Sequence, residues 1–200
     1  MNHRFQCLCG RVHGEIEHAQ HGVRGTCYCG DCQAYAHLLG QATQVLDPLG
    51  GTDIVAVDAR HLRLASGTQG LACLSLSPNG LLRWYASCCN TPLANTTRDW
   101  KLAYVGMVHT CLRQPQALEQ SFPEVQMRVH TKSAKGKPPP GAGVAGVARF
   151  GRLMLGLTAS RLSGAYRATP LFDPQGRPVV TVGVAPSEAV QSARRAAGMA

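Results

Sequence analysis

Cys27-Tyr28-Cys29-Gly30-Asp31-Cys32 packs three thiols into six residues. Thiols at that density can face one ion from a single segment, and a C-x-C or C-x-x-C unit reaches a metal without distorting the fold around it. Two further units flank this stretch. Upstream lies Cys7-Leu8-Cys9-Gly10, with a glycine placed where the backbone must turn back beneath a metal. Downstream lies Cys88-Cys89-Asn90-Thr91-Pro92-Leu93, and Asn90 tolerates the left-handed conformation that a knuckle needs. The candidate metal ligands are therefore Cys27, Cys29 and Cys32, with Cys7, Cys9, Cys88 and Cys89. Zinc is the expected ion, because it favours thiolate donors in such spacings.

The other cysteines read differently. Cys73 sits in the apolar run Leu71-Ala72-Cys73-Leu74 and is expected to be a buried core thiol. Cys111 follows an apolar strand and is also expected in the core, although it and His109 stay open as ligands of the Cys7/Cys9 site. His37 is a further candidate for the Cys27–Cys32 site. Nine cysteines are an odd number, which argues against a pure disulfide framework. The start Met1-Asn2-His3-Arg4-Phe5 has no apolar leader segment, so a cytoplasmic chain with reduced thiols is expected.

Twenty-two glycines and 12 prolines in 200 residues favour many turns and short elements, hence a mainly β chain. Strands are expected at 11–17, 53–58, 61–65 and 102–108. A hairpin is expected where Ser77-Pro78-Asn79-Gly80 separates the apolar runs 71–76 and 81–85. Residues 25–32 read as a loop and 33–39 as one or two helical turns. The net charge is +9, and the excess lies late in the chain: from 126 to 200, eleven Lys and Arg face only Asp173 and Glu188. The expected organisation is a zinc-binding domain over 1–125 and a basic extension over 126–200. Within that extension, Thr131–Gly141 is a linker, 144–165 a helix and 187–197 a second helix with Ser187 as its N-cap. Charges and glycines interrupt 144–165, so no membrane span is expected there.

C-x-C-G, then C-x-C-x-x-C, then a strand leading into a cysteine followed by N-T-x-L, resembles the glutathione-dependent formaldehyde-activating enzyme family, which includes centromere protein V-like proteins. The resemblance covers roughly residues 5 to 110 and is closest to a divergent bacterial branch. It implies a mainly β, zinc-bearing "tent" of the Mss4-like type with a C-terminal helical and loop extension. It also implies two zinc ions. One would be structural, on Cys7, Cys9 and Cys89; the other would be reactive, on Cys27, Cys29 and Cys32. This chain departs from the family at the C-x-x-C pair, reading Ala86-Ser87-Cys88-Cys89, with Cys88 the nearest substitute for the missing thiol. Adjacent side chains in extended backbone point to opposite faces, so both can reach one ion only if the chain turns sharply there.

The activity implied by the resemblance is a carbon–sulfur lyase acting on glutathione–aldehyde adducts such as S-hydroxymethylglutathione. Glutathione would be the co-substrate and a small-molecule thiol or thiol adduct the partner. Arg4, Arg24 and Arg83 are the cations nearest the motifs for glutathione's carboxylates. Two rival readings come from other classes. A non-catalytic zinc module binding nucleic acid or a protein would use the +9 charge, against which stand few aromatics for stacking and dispersed cations. A metal-free redox protein would use the C-x-x-C at 29–32.

Overall fold

The computed structural model describes residues 1–141 and 143–199; Ala142 and Ala200, both in the 126–200 extension, lie outside the described residues. The elements run β1 (His3–Gln6), β2 (His13–Ile16), β3 (Val23–Cys27), α1 (Gly30–Leu38), α2 (Ala42–Val45), β4 (Thr52–Asp58), β5 (Leu62–Ser66), β6 (Leu71–Ser75), β7 (Leu82–Ala86), β8 (Thr91–Thr96), β9 (Tyr104–Val108), α3 (His109–Leu112), β10 (Met127–Val129), α4 (Gly143–Ser163), β11 (Val182–Val184) and α5 (Ser187–Ala196). The chain is mainly β, with its longer helices late in the sequence.

Two sheets form. A three-stranded sheet has the order β1-β2-β5, and an eight-stranded sheet has the order β10-β3-β4-β9-β8-β7-β6-β11. The inner strands pair antiparallel, whereas β10 joins β3 and β11 joins β6 in parallel. Both outer edges of the large sheet are thus supplied by residues beyond 125. The β6–β7 hairpin forms across Ser77–Gly80, with Leu74 opposite Arg83. Pro92 lies inside β8 yet breaks nothing, because the β7–β8 register shifts between Trp84 and Tyr85; a bulge accommodates a residue with no N–H to give.

The main core draws on both ends of the described chain, beside a smaller cluster of Ala36, Val45 and Val108. Phe5, Ile16, Val55, Trp84 and Met107 share the main core with Leu153, Leu157, Tyr166 and Phe172 from the C-terminal third. Trp84 is fully buried; its Nε1–H donates to Thr96 Oγ1 at 3.0 Å, and Phe172 meets its ring edge-on at 5.9 Å. Cys73 and Cys111 are core thiols. Cys111 Sγ donates to the Val108 carbonyl at 3.1 Å, and burial pushes its pKa up.

Three local readings are corrected. Residues 25–32 are not one loop: Gly25–Cys27 is paired on both sides, by Thr52–Ile54 and by Met127–Val129, and a helix begins at Gly30. Ser187 is not the N-cap of α5; Pro186 holds that position in extended conformation and Ser187 is the first helical residue. A strand at 3–6 that apolar alternation did not reveal pairs with β2. No helix of the described residues is long and apolar enough to cross a membrane.

Candidate metal centres

The first cysteine group joins two turns. After β1 the chain reverses through Cys7–Gly10, where Gly10 N–H donates to the Cys7 carbonyl at 2.9 Å and Gly10 adopts φ +76°, a conformation glycine takes without strain. After β7 the chain reverses through Ser87–Asn90, with Cys89 N–H donating to the Ala86 carbonyl and Asn90 at φ +52°. That sharp turn swings both Cys88 and Cys89 to one side. All four Sγ atoms lie within 4.8 Å of one another: Cys7–Cys9 3.5 Å, Cys7–Cys88 3.8 Å, Cys9–Cys88 3.2 Å and Cys88–Cys89 3.8 Å. The four can hold one metal ion.

Neighbouring groups support these sulfurs. Val12 N–H donates to Cys7 Sγ at 3.3 Å, and Leu8 N–H donates to Thr91 Oγ1, which also stands 3.0 Å from Cys89 Sγ. Burial would raise the Cys89 thiol, but hydrogen bonds with Thr91 and with the Cys9 backbone outweigh it and hold the pKa at about 6. Burial and the neighbouring thiols push Cys88 the other way, to about 12. The alternatives for the fourth ligand fall away. Cys111 is in the core, and His109 Nδ1 donates to the Asp53 carbonyl at 2.9 Å. Ala86, where the resembled family has a cysteine, is fully buried in β7.

The second group sits where β3 passes into α1. Cys27 ends the strand, Cys29 caps the helix with its Sγ accepting from Cys32 N–H at 3.4 Å, and Cys32 lies in the first turn. The three Sγ atoms lie within 4.8 Å of one another. Hydrogen bonds from the Cys27 and Cys32 thiols, with help from the Cys32 N–H and Arg83, draw the Cys29 thiol down to about 2; the same contact with Cys29 pushes Cys27 up. Cys29 Sγ stands at the N-cap of α1, where the positive end of a helix favours a thiolate. Cys29 is the partly exposed member, while Cys27 and Cys32 are buried. All nine cysteines are free thiols. His37, in the last turn of α1, belongs to neither group.

Arg83 is the residue whose role the sequence did not reveal. It is only 2% exposed, with Nη1 3.9 Å from Cys32 Sγ and 3.2 Å from Asn95 Oδ1, and its guanidinium lies over the Tyr35 ring. It balances thiolate charge from inside the protein and does not face an arriving carboxylate. Arg24 is likewise committed, donating to Asp53 Oδ2 from Nε at 2.9 Å and from Nη2 at 2.7 Å, and to the Phe122 carbonyl. Of the three arginines expected near the motifs, Arg4 alone is exposed.

The C-terminal helix lies beside this second group. α5 packs against α1, Arg194 Nη2 donates to Asp31 Oδ1 at 2.8 Å, and Met199 Sδ is so close to Gly30 that a Cβ there would stand 2.7 Å from it. A side chain at Gly30, between Cys29 and Cys32 in sequence, would have to displace the Met199 thioether.

No curated protein matches the chain. Among solved structures, a Rhodobacter sphaeroides protein is 16% identical, with a TM-score of 0.43 over 63% of this chain and 99% of that one. Residues 3–183, which include both cysteine groups, match a family of unknown function, DUF6151, and the chain belongs to that family.

Proposed function

We propose that both cysteine groups bind zinc, the four-thiolate group as a structural centre and the three-thiolate group as a centre with one position free for an exogenous thiol. The observation that carries this reading is the assembly of seven sulfurs into a set of four and a set of three. Sulfurs at a Zn–S distance of ~2.3 Å stand about 3.8 Å apart at the corners of a tetrahedron. Four of the six sulfur–sulfur distances in the four-cysteine group, 3.2 to 3.8 Å, are close to that, and the other two are within 4.8 Å. Zinc with four protein ligands is closed to substrate; zinc with three leaves a position open. An ion at such a position ionises a bound thiol.

The activity that fits is addition of a small-molecule thiol to an aldehyde, or its reverse, as in the glutathione–formaldehyde chemistry of the resembled family. In the forward direction the sulfur lone pair forms a C–S bond to the carbonyl carbon, and the carbonyl oxygen takes up a proton. The chain's own part is to hold the thiol beside Cys29, offset thiolate charge with Arg83, and fix the sulfurs at the rigid junction of β3 and α1. The buried state of Arg24 and Arg83 leaves carboxylate recognition to other groups, so a thiol other than glutathione is equally compatible.

A non-catalytic zinc module is the second reading, and one observation favours it: α5 lies against the segment that carries the three cysteines. Metal analysis of the native protein beside Cys29→Ser separates the schemes. Two zinc ions per chain falling to one supports two centres; no zinc in protein purified without chelator removes both readings. Acceleration of glutathione–formaldehyde exchange by native protein, lost in Cys29→Ser, supports the enzyme, and an unchanged exchange rate supports the module.

A further inference from the structure

Two of the eleven cations of the C-terminal third, Arg149 and Arg152, line one cavity. α4 lies across β3, β4 and the helical turn at Ala19–His21, burying Leu153, Leu157 and Ser160. Arg149, Arg152, Leu153 and Gly156 recur at helical spacings of three and four, so they share one face of α4. That face lines a cavity of about 610 Å³, which His18, His21, His61 and Arg60 also line. The volume is that of a small-molecule site.

The charges in the wall are unbalanced. Its two acids are already neutralised: Glu17 pairs with Arg63 at 2.8 Å, and Asp58 pairs with Arg60 at 3.2 Å and accepts from the Ser160 hydroxyl at 3.4 Å. Arg149 and Arg152 take part in no ion pair or side-chain hydrogen bond among the described residues, leaving two guanidiniums one helical turn apart with five N–H donors each. Arg60 Nε is buried in the same wall, and its partner there is Asp58 Oδ2 at 3.2 Å. The imidazoles cluster: His18 meets His61 edge-on at 5.0 Å between ring centroids and stands 6.3 Å from His21. His18 holds a left-handed backbone, φ +51° and ψ +41°, which non-glycine residues adopt uncommonly. Burial, then the Arg60 charge, lowers the His61 pKa. Together these features place guanidinium and imidazole groups, the two α4 arginines solvent-exposed, around a cavity whose two acids are already paired.

We infer that this cavity binds a dianionic small molecule of the phosphate monoester class. Guanidiniums match the geometry of phosphate oxygens, and imidazole N–H groups add further donors. A phosphate alone would leave most of the volume empty, so an organic portion accompanies it. Gly156 gives that portion room: a Cβ built there meets no atom within 4 Å. The site is separate from both cysteine groups in lining residues and in chemistry.

Titration of the full-length, metal-containing protein with ribose 5-phosphate, inorganic phosphate and uncharged ribose tests the inference. The imidazole proton signals of His18, His21 and His61 report on the site. Ribose 5-phosphate should bind and shift them, inorganic phosphate should bind more weakly, and ribose should not bind. The double variant Arg149→Gln, Arg152→Gln should weaken ribose 5-phosphate binding at least tenfold. Gly156→Leu should block binding by filling the cavity while leaving the melting temperature unchanged or higher, since leucine is the better helix former. No binding of either phosphate, equal binding of ribose, or affinity unaltered in both variants would overturn the inference.

Discussion

Arg194 of α5 donates to Asp31 of α1 at 2.8 Å, and the same carboxylate stands 4.0 Å from the buried Arg83. One carboxylate therefore links the C-terminal helix to the cation that faces Cys32. The pair is half exposed, so its own contribution to stability is small, about 0–1 kcal/mol. Its effect on access is larger. In metal-depleted protein, Arg194→Glu sets like charges against each other and should loosen α5 from α1. Alkylation of Cys29 by iodoacetamide, followed by mass spectrometry, should speed up several-fold, with the melting temperature changed by only a few degrees. An unaltered rate would mean that α5 does not limit access.

The four-cysteine group ties the turn after β1 to the turn after β7, which are 80 residues apart in sequence. Cys88→Ser and Cys89→Ser should each remove one metal equivalent and lower the melting temperature. A loss of about 3 kcal/mol would give a drop of roughly 6–12 °C in a chain of this size. Cys111→Ala should leave the metal content unchanged, because that thiol is in the core.

Trp84 anchors the middle of the large sheet, with its ring in the core and its N–H on Thr96. Trp84→Ala should cost about 3–5 kcal/mol, from lost burial and the cavity left behind. Urea unfolding would show this as a lower midpoint. A change below about 1 kcal/mol would contradict its place in the core.

Burial pushes the Cys73 thiol to about 12. A group whose pKa is raised on folding contributes stability that is complete below its unfolded value, near 8.5 for cysteine, and is lost as pH rises through the folded value. Stability should therefore fall as pH goes from about 9 towards 12. Cys73→Ala should fall less steeply over that interval, as read from urea midpoints at pH 8 and pH 10.5. Parallel slopes would rule out the contribution.

Local chemistry made much of this legible. The grouping of the seven cysteines was readable because C-x-C and C-x-x-C spacings carry their own geometry, and the hairpin at Ser77–Gly80 and helix α4 because turn residues and periodicity are local signals. The region around Cys27 was misread as loop because its strand character comes from pairing with Thr52–Ile54 and Met127–Val129, partners far away in sequence. The turn that lets Cys88 and Cys89 converge depends on Asn90, whose left-handed backbone the sequence permitted but did not require. Arg83 reads in the sequence as a cation for a substrate carboxylate because nothing local says that Tyr35 and Asn95 will enclose it. The cavity under α4 was hidden for the same reason, since its walls come from segments about 130 residues apart.

The parallel edge strands bear on how the chain is made. Synthesis delivers β3 and β6 long before β10 and β11, so an emerging chain presents two open sheet borders until residues past 126 leave the ribosome. Unpaired borders invite strand addition from other chains. Val129 also pairs with Cys27, so the scaffold under the three-cysteine group is finished only late in translation. Metal loading of the two centres should then follow a sequence in time, with the Cys7/Cys9/Cys88/Cys89 set complete first.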